Sequence, residues 1–132
     1  MAVKTPRNLL FIFTDQQRYD TMKIYGNDRI KVPNLNRLAE SSAVFLKTYI
    51  SQPVCTPSRA TILTGLYPHS HGLVVNNLCL DKNIPTIAEM VKEYGYRTGY
   101  VGKWHLGNEV VKQHGFDEWV SIEDYFYREY LT

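Results

Sequence analysis

Residues 8–15, "NLLFIFTD", place five apolar side chains in succession, Leu9 to Phe13, before the polar Thr14 and Asp15. A strand with one wet face alternates apolar and polar residues, whereas an unbroken run suits a strand covered on both faces, the habit of parallel sheets. Parallel neighbours cannot be joined by a tight hairpin and need a crossover, usually helical. This run therefore points towards an α/β architecture.

The downstream pattern supplies the crossovers. In "VPNLNRLAESS", Pro33 suits a first helical position, and Leu35, Leu38 and Ala39 recur at helical spacing. "AVFLKTYI", residues 43–50, is rich in branched and aromatic side chains and reads as a second strand. "TPSRATILTG" reads as a short helix with Thr56 as cap, Pro57 in the first turn and Gly65 as stop. After a loop-like "LYPHSHGLVVNNLCLDKN", Pro85 opens a helix whose Ile87, Met90, Val91 and Tyr94 form one apolar stripe. Gly95 ends that helix, "RTGYV" is a short strand and "GKWHLG" is the turn behind it. Alternating strands and helices imply a mainly parallel sheet.

At 132 residues the chain is one domain by length, or a piece of one. A net charge of +2, with no long run of like charges, gives no electrostatic footprint for nucleic acid. Two cysteines make no disulfide framework and fit a reducing compartment or a thiol with its own chemistry. The basic and then apolar N-terminus lacks a small-residue cleavage site, and no stretch approaches a membrane span. A cytoplasmic location is the expectation.

The polar residues fall where ligands bind in open α/β sheets, outside the carboxyl ends of strands. Asp15 and Gln16 follow the first strand, and Lys103 and His105 follow the last. Cys55 lies between a strand and a helix start, two residues before Pro57, where it meets the positive end of the helix. Arg59 adds a guanidinium suited to sulfate or phosphate oxygens. A lone cysteine or a lone Lys-x-His is usually structural, and a single Asp after a strand is usually a turn or cap residue. Here the combination argues otherwise.

"CTPSRATILTG" resembles the sulfatase signature, and the resemblance extends over "LLFIFTDQQRYDTM", "VPNLNRLAESSAVFLKTY", "GYRTGYVGKWHLG" and "HGFDEW", in order, from Asn8 to Trp119. It implies an alkaline-phosphatase-like α/β sandwich. It implies that Cys55 is oxidised by a separate maturating enzyme to formylglycine, whose hydrate attacks a sulfate ester. Pro57 and Arg59 would belong to the sequence that enzyme reads, and Arg59 counts with Cys55, Lys103 and His105 as catalytic. Lys103 would hold sulfate oxygens, and His105 would sit near the formylglycine hydroxyl. Asp15, Gln16 and the converted Cys55 would bind a divalent cation, calcium first, with magnesium or manganese as alternatives. Gln16 stands where many sulfatases have an aspartate, as in some bacterial sulfatases and related phosphonate monoester hydrolases. Asn76 would contact substrate, although "NN" leaves Asn76 and Asn77 open. His69 and His71 read as family-typical loop structure rather than a metal pair. His114 and the tail "DYFYREY" suggest no function.

Sulfatases are several times longer than this chain. Residues 1–132 are therefore expected to be the N-terminal portion of a catalytic domain, without the later metal ligands and the further Lys and His. Negligible activity of the chain alone is expected, as is self-association through an exposed sheet edge. The competing readings are a phosphate or phosphonate ester hydrolase of the same superfamily, and a non-catalytic piece that pairs with another chain. Whether the sulfate sits on a sugar, an aryl group or choline is not legible.

Overall fold

Proline and glycine punctuate the structure much as they punctuate the sequence. The computed structural model describes residues 7–121, which fall into two compact units: residues 7–8 with 50–121, and Leu9–Tyr49. In the Leu9–Tyr49 unit, single 3-10 turns at Tyr19–Thr21 and Lys23–Tyr25 precede helix α1, Pro33–Glu40. Pro33 stands in the first turn of α1, where its missing N–H costs nothing. Ser41 and Ser42 close the helix by donating hydroxyls to Leu38 O at 3.2 and 2.7 Å.

The other unit carries α2 (Cys55–Thr64), α3 (Pro68–His71), α4 (Ile87–Met90), β1 (Gly99–Gly102) and β2 (Glu118–Ser121). Gly65 ends α2 in the left-handed conformation, φ 73°, with its N–H on Thr61 O at 2.9 Å. β1 and β2 pair in parallel, Tyr100 opposite Trp119 and Val101 opposite Val120. One face of this pair packs on the core: half-buried Tyr100 and Trp119 stack at 5.1 Å, and Trp104 meets both edge-on at 5.2 and 5.1 Å. The core is completed by Ala60, Leu63, Leu73, Leu80, Ala88, Leu106 and Phe116. Gly115, at φ 79°, lets the chain pass α4 closely, since an added Cβ would lie 2.3 Å from Glu89 Cγ.

Several expectations are corrected. Residues 8–15 and 43–50 form no strand, and Leu9, Leu10, Ile12, Phe45 and Leu46 are exposed. A strand is a pairing, and these runs have no ladder among the described residues, so apolar composition alone does not make them strands. The helix behind Pro85 is one turn long, capped by Thr86 in a reciprocal box with Glu89, then a 3-10 turn Lys92–Tyr94 before Gly95. Its expected stripe does not form the core: Ile87, Met90 and Tyr94 are exposed, and Ala88 is the buried side chain. β2 was not foreseen. The expectations for the tail "DYFYREY" lie outside the described residues.

Candidate active site

Cys55 does not precede α2 but begins it, with Val54 as the residue before the helix. Thr56 is therefore not the cap. The role passes to a distant loop: Asn76 Oδ1 accepts the Thr56 N–H at 3.0 Å, satisfying a first-turn donor that the helix itself cannot. Pro57 brings no N–H to this turn. The Cys55 side chain, half-buried, thus stands at the positive end of a ten-residue helix.

The turn after β1 meets it. Lys103 Nζ lies 4.0 Å from Cys55 Sγ. The main chain of Lys103 is held from below, its carbonyl accepting from the Arg59 guanidinium and from the Tyr100 hydroxyl. Arg59 is 5% exposed, so the signature arginine reaches inward from α2 to the turn that carries the lysine. Burial pushes the Tyr100 phenol up, with Arg59 opposing that shift. The phenol remains a donor near neutral pH.

His105 is buried in the left-handed region, φ 59°, so the Lys-Trp-His stretch is not simply extended. Trp104 between them fills the core. The His105 carbonyl accepts from Thr56 Oγ1 at 2.9 Å, and that hydroxyl accepts from Asn77 N at 3.3 Å. Asn77 Oδ1 in turn lies 3.1 Å from His105 Nε2. The two asparagines therefore divide the work: Asn76 holds the helix end, and Asn77 meets the histidine. Glu109, 3% exposed, accepts the N–H groups of Trp104 and His105 at 3.1 and 2.7 Å. No local pattern in the sequence announces Thr56, Asn77 or Glu109 in these roles, because each acts across the chain.

The other histidines are structural. Burial holds the His71 ring below its ordinary pKa. Its Nδ1 accepts from Leu73 N at 3.1 Å, which leaves Nε2 to donate to Thr61 Oγ1 at 3.2 Å. His69 stacks on Tyr67 at 5.8 Å. His114 packs against Trp104 at 5.6 Å, its carbonyl accepts from Thr86 Oγ1 at 2.9 Å, and burial likewise lowers its ring. Cys55 and Cys79 are both free thiols.

Asp15 and Gln16 lie in the Leu9–Tyr49 unit, at a bend where Gln16 takes φ 57°. Both are exposed, and a carboxylate with an amide oxygen fits a hard cation in kind. They are two donors of the six to eight that calcium takes. Among the described residues no group of three or more His, Cys, Asp or Glu is placed to hold an ion. No described helix is long and apolar enough to cross a membrane.

The family model for sulfatases matches residues 7–132. The chain belongs to the sulfatase family. It is 37% identical over 126 residues to an ulvan-active sulfatase of Formosa agariphila, an alignment that takes in 90% of this chain and 25% of that protein. Among solved structures, a complex with its substrate D-glucosamine-2-N,6-O-disulfate superposes with a TM-score of 0.69 at 34% identity, over 76% of this chain and 20% of the other. The yidJ protein of Bacteroides fragilis superposes with a TM-score of 0.74 at 30% identity, over 84% of this chain and 30% of that one. The fold is that of sulfatases, alkaline-phosphatase-like, mixed helix and strand with parallel pairing. The chain spans between a fifth and a third of the length of these sulfatase-family relatives.

Proposed function

We propose that this chain supplies the nucleophile-bearing part of a sulfuric ester hydrolase acting on a sulfated sugar. The observation that carries the reading is the meeting of Cys55, first residue of α2, with Lys103 Nζ at 4.0 Å, within a chain matched over residues 7–132 by the sulfatase family. Its likeness to an ulvan-active sulfatase and to a complex with a disulfated glucosamine supports a sugar as the carrier of the ester.

Cys55, once oxidised to formylglycine by a maturating enzyme and hydrated to the geminal diol, would supply a hydroxyl nucleophile for sulfur. Lys103 offers a cation to the oxygens of the sulfate group, whose charge is most crowded in the transition state. Asn76 holds the helix end beside Cys55, and as a substrate-binding residue it would offer its amide N–H groups to the ester. His105, its ring held by Asn77, would hydrogen-bond the reacting hydroxyl or hold its proton. Arg59 binds the Lys103 carbonyl and so keeps the cation's backbone in place. Asp15 and Gln16 would hold the divalent cation, calcium or alternatively magnesium or manganese, which supplies positive charge to the anionic ester.

The 132-residue chain by itself is expected to turn over an aryl sulfate no faster than the buffer background. The test of the function is a chimera in which residues 7–132 replace the matching quarter of the Formosa agariphila sulfatase, produced with a maturating enzyme. It should hydrolyse a sulfated sugar and lose that activity on Cys55→Ala. Full activity in the Cys55→Ala chimera, or preference for a phosphonate monoester over the sulfate ester, would contradict the reading.

A further inference from the structure

Glu109 is the most deeply connected carboxylate among the described residues, and no motif in the sequence draws attention to it. It lies between β1 and β2, four residues past His105, and is 3% exposed. Its Oε1 accepts the His105 N–H at 2.7 Å. Its Oε2 accepts the Trp104 N–H at 3.1 Å and the Ser121 hydroxyl at 2.6 Å. Its main-chain carbonyl takes the Trp119 indole N–H at 2.8 Å. A carboxylate with two acceptor oxygens satisfies two adjacent backbone donors at once, which no other side-chain class does as well.

The two donors belong to the turn that carries the reacting groups. His105 sits at φ 59°, a conformation that a residue with a side chain adopts only when its surroundings impose it. On one side of that turn, Thr56 holds the His105 carbonyl, and Asn77 meets the ring. On the other side, Arg59 and Tyr100 hold the Lys103 carbonyl. The donors in the middle of the turn go to Glu109. We propose that Glu109 is a positioning residue: its carboxylate fixes the Trp104–His105 backbone in the left-handed turn that presents His105 to Asn77 and Lys103 to Cys55. The inference rests on the proposed function only for the chemistry the turn would serve, so its test reads the turn and not hydrolysis.

The experiment is amide hydrogen exchange and ring-proton NMR on the 132-residue chain and its variants. In Glu109→Gln one oxygen is replaced by a donor that faces a backbone donor. The expected result is exchange at the Trp104 and His105 amides faster by about tenfold or more, together with shifted His105 ring resonances. In Ser121→Ala, which removes only the third partner, both amides and the ring should stay as they are. Unchanged amides and ring in a folded Glu109→Gln chain overturn the proposal. Should Glu109→Gln not fold, Asn77→Ala decides: the His105 ring should move while both amides stay protected, and loss of that protection would show that Glu109 is not what holds them. A failure of sulfate ester hydrolysis would leave each of these results standing.

Discussion

Residues 9–49 and residues 50–121 are built from similar apolar content but hold themselves together differently. None of the residues from 9 to 49 is buried, and the side-chain hydrogen bonds within that unit are mostly local, such as Arg18 with Asp20 or Asn27 with the turn at Arg29. In residues 50–121, polar side chains reach far along the sequence: Thr56 to His105, Arg59 to Lys103, Thr86 to His114. These bonds are buried or partly buried, where an unmade partner is costly. The lesson is that the site adjoins the core: Trp104, between Lys103 and His105, belongs to the hydrophobic cluster, and Tyr100, which holds the Lys103 carbonyl, packs against it.

The contrast is sharpest at Trp104. Trp104→Ala should lower stability by about 3–5 kcal/mol, read from a denaturant curve. Phe45→Ala or Leu38→Ala, exposed in the other segment, should shift it by about 0.5 kcal/mol or less. Equal losses would erase the distinction. Gly115→Ala comes next, at about 3 kcal/mol, because a positive φ and a collision with Glu89 act together. Gly26→Ala, in the 9–49 segment, meets no atom within 4 Å and should cost less, leaving only the φ penalty. Thr56→Val keeps the shape but removes both hydrogen bonds of the hydroxyl, one buried and one partly buried, with an expected loss of about 2 kcal/mol.

The smallest effect is the response to acid. His71 and His114 have ring pKa values lowered by burial below the ordinary 6.5. Their neutral forms belong to the folded state, so the stability they protect is complete above about pH 6.5 and is lost as the pH falls below it. All four histidines lie in residues 50–121, and so do both tryptophans, Trp104 and Trp119. Urea midpoints followed by tryptophan fluorescence should therefore fall between pH 7 and 5, and less steeply in His71→Gln. In residues 9–49 the lowered group is Asp20, beside Arg18, which titrates below 3.8. A pH-independent midpoint across the histidine range would contradict this assignment.

The sequence made the order of elements readable where punctuation is local. Pro33 and Gly65 mark the start of α1 and the end of α2, and β1 begins inside "RTGYV" and runs one residue beyond it, to Gly102. It also brought Cys55, Arg59, Lys103 and His105 into one expectation, and the structure places Cys55 beside Lys103 and Arg59 beneath it. Thr56 misled because its neighbour Pro57 made it resemble a cap, while the actual cap is Asn76, twenty residues away. The Ile87–Tyr94 stripe misled because helical period was read over a segment that is one α turn and one 3-10 turn, whose faces do not continue into each other. Glu109 was silent because nothing in its neighbours' spacing encodes a contact with backbone N–H groups.

The most direct test of the central claim is the mass of the peptide containing Cys55, from the chain produced with a formylglycine-generating enzyme. The account predicts a loss of about 18 Da at that residue and none at Cys79. A Cys55 thiol left intact, while a known sulfatase is converted in the same cells, would contradict it.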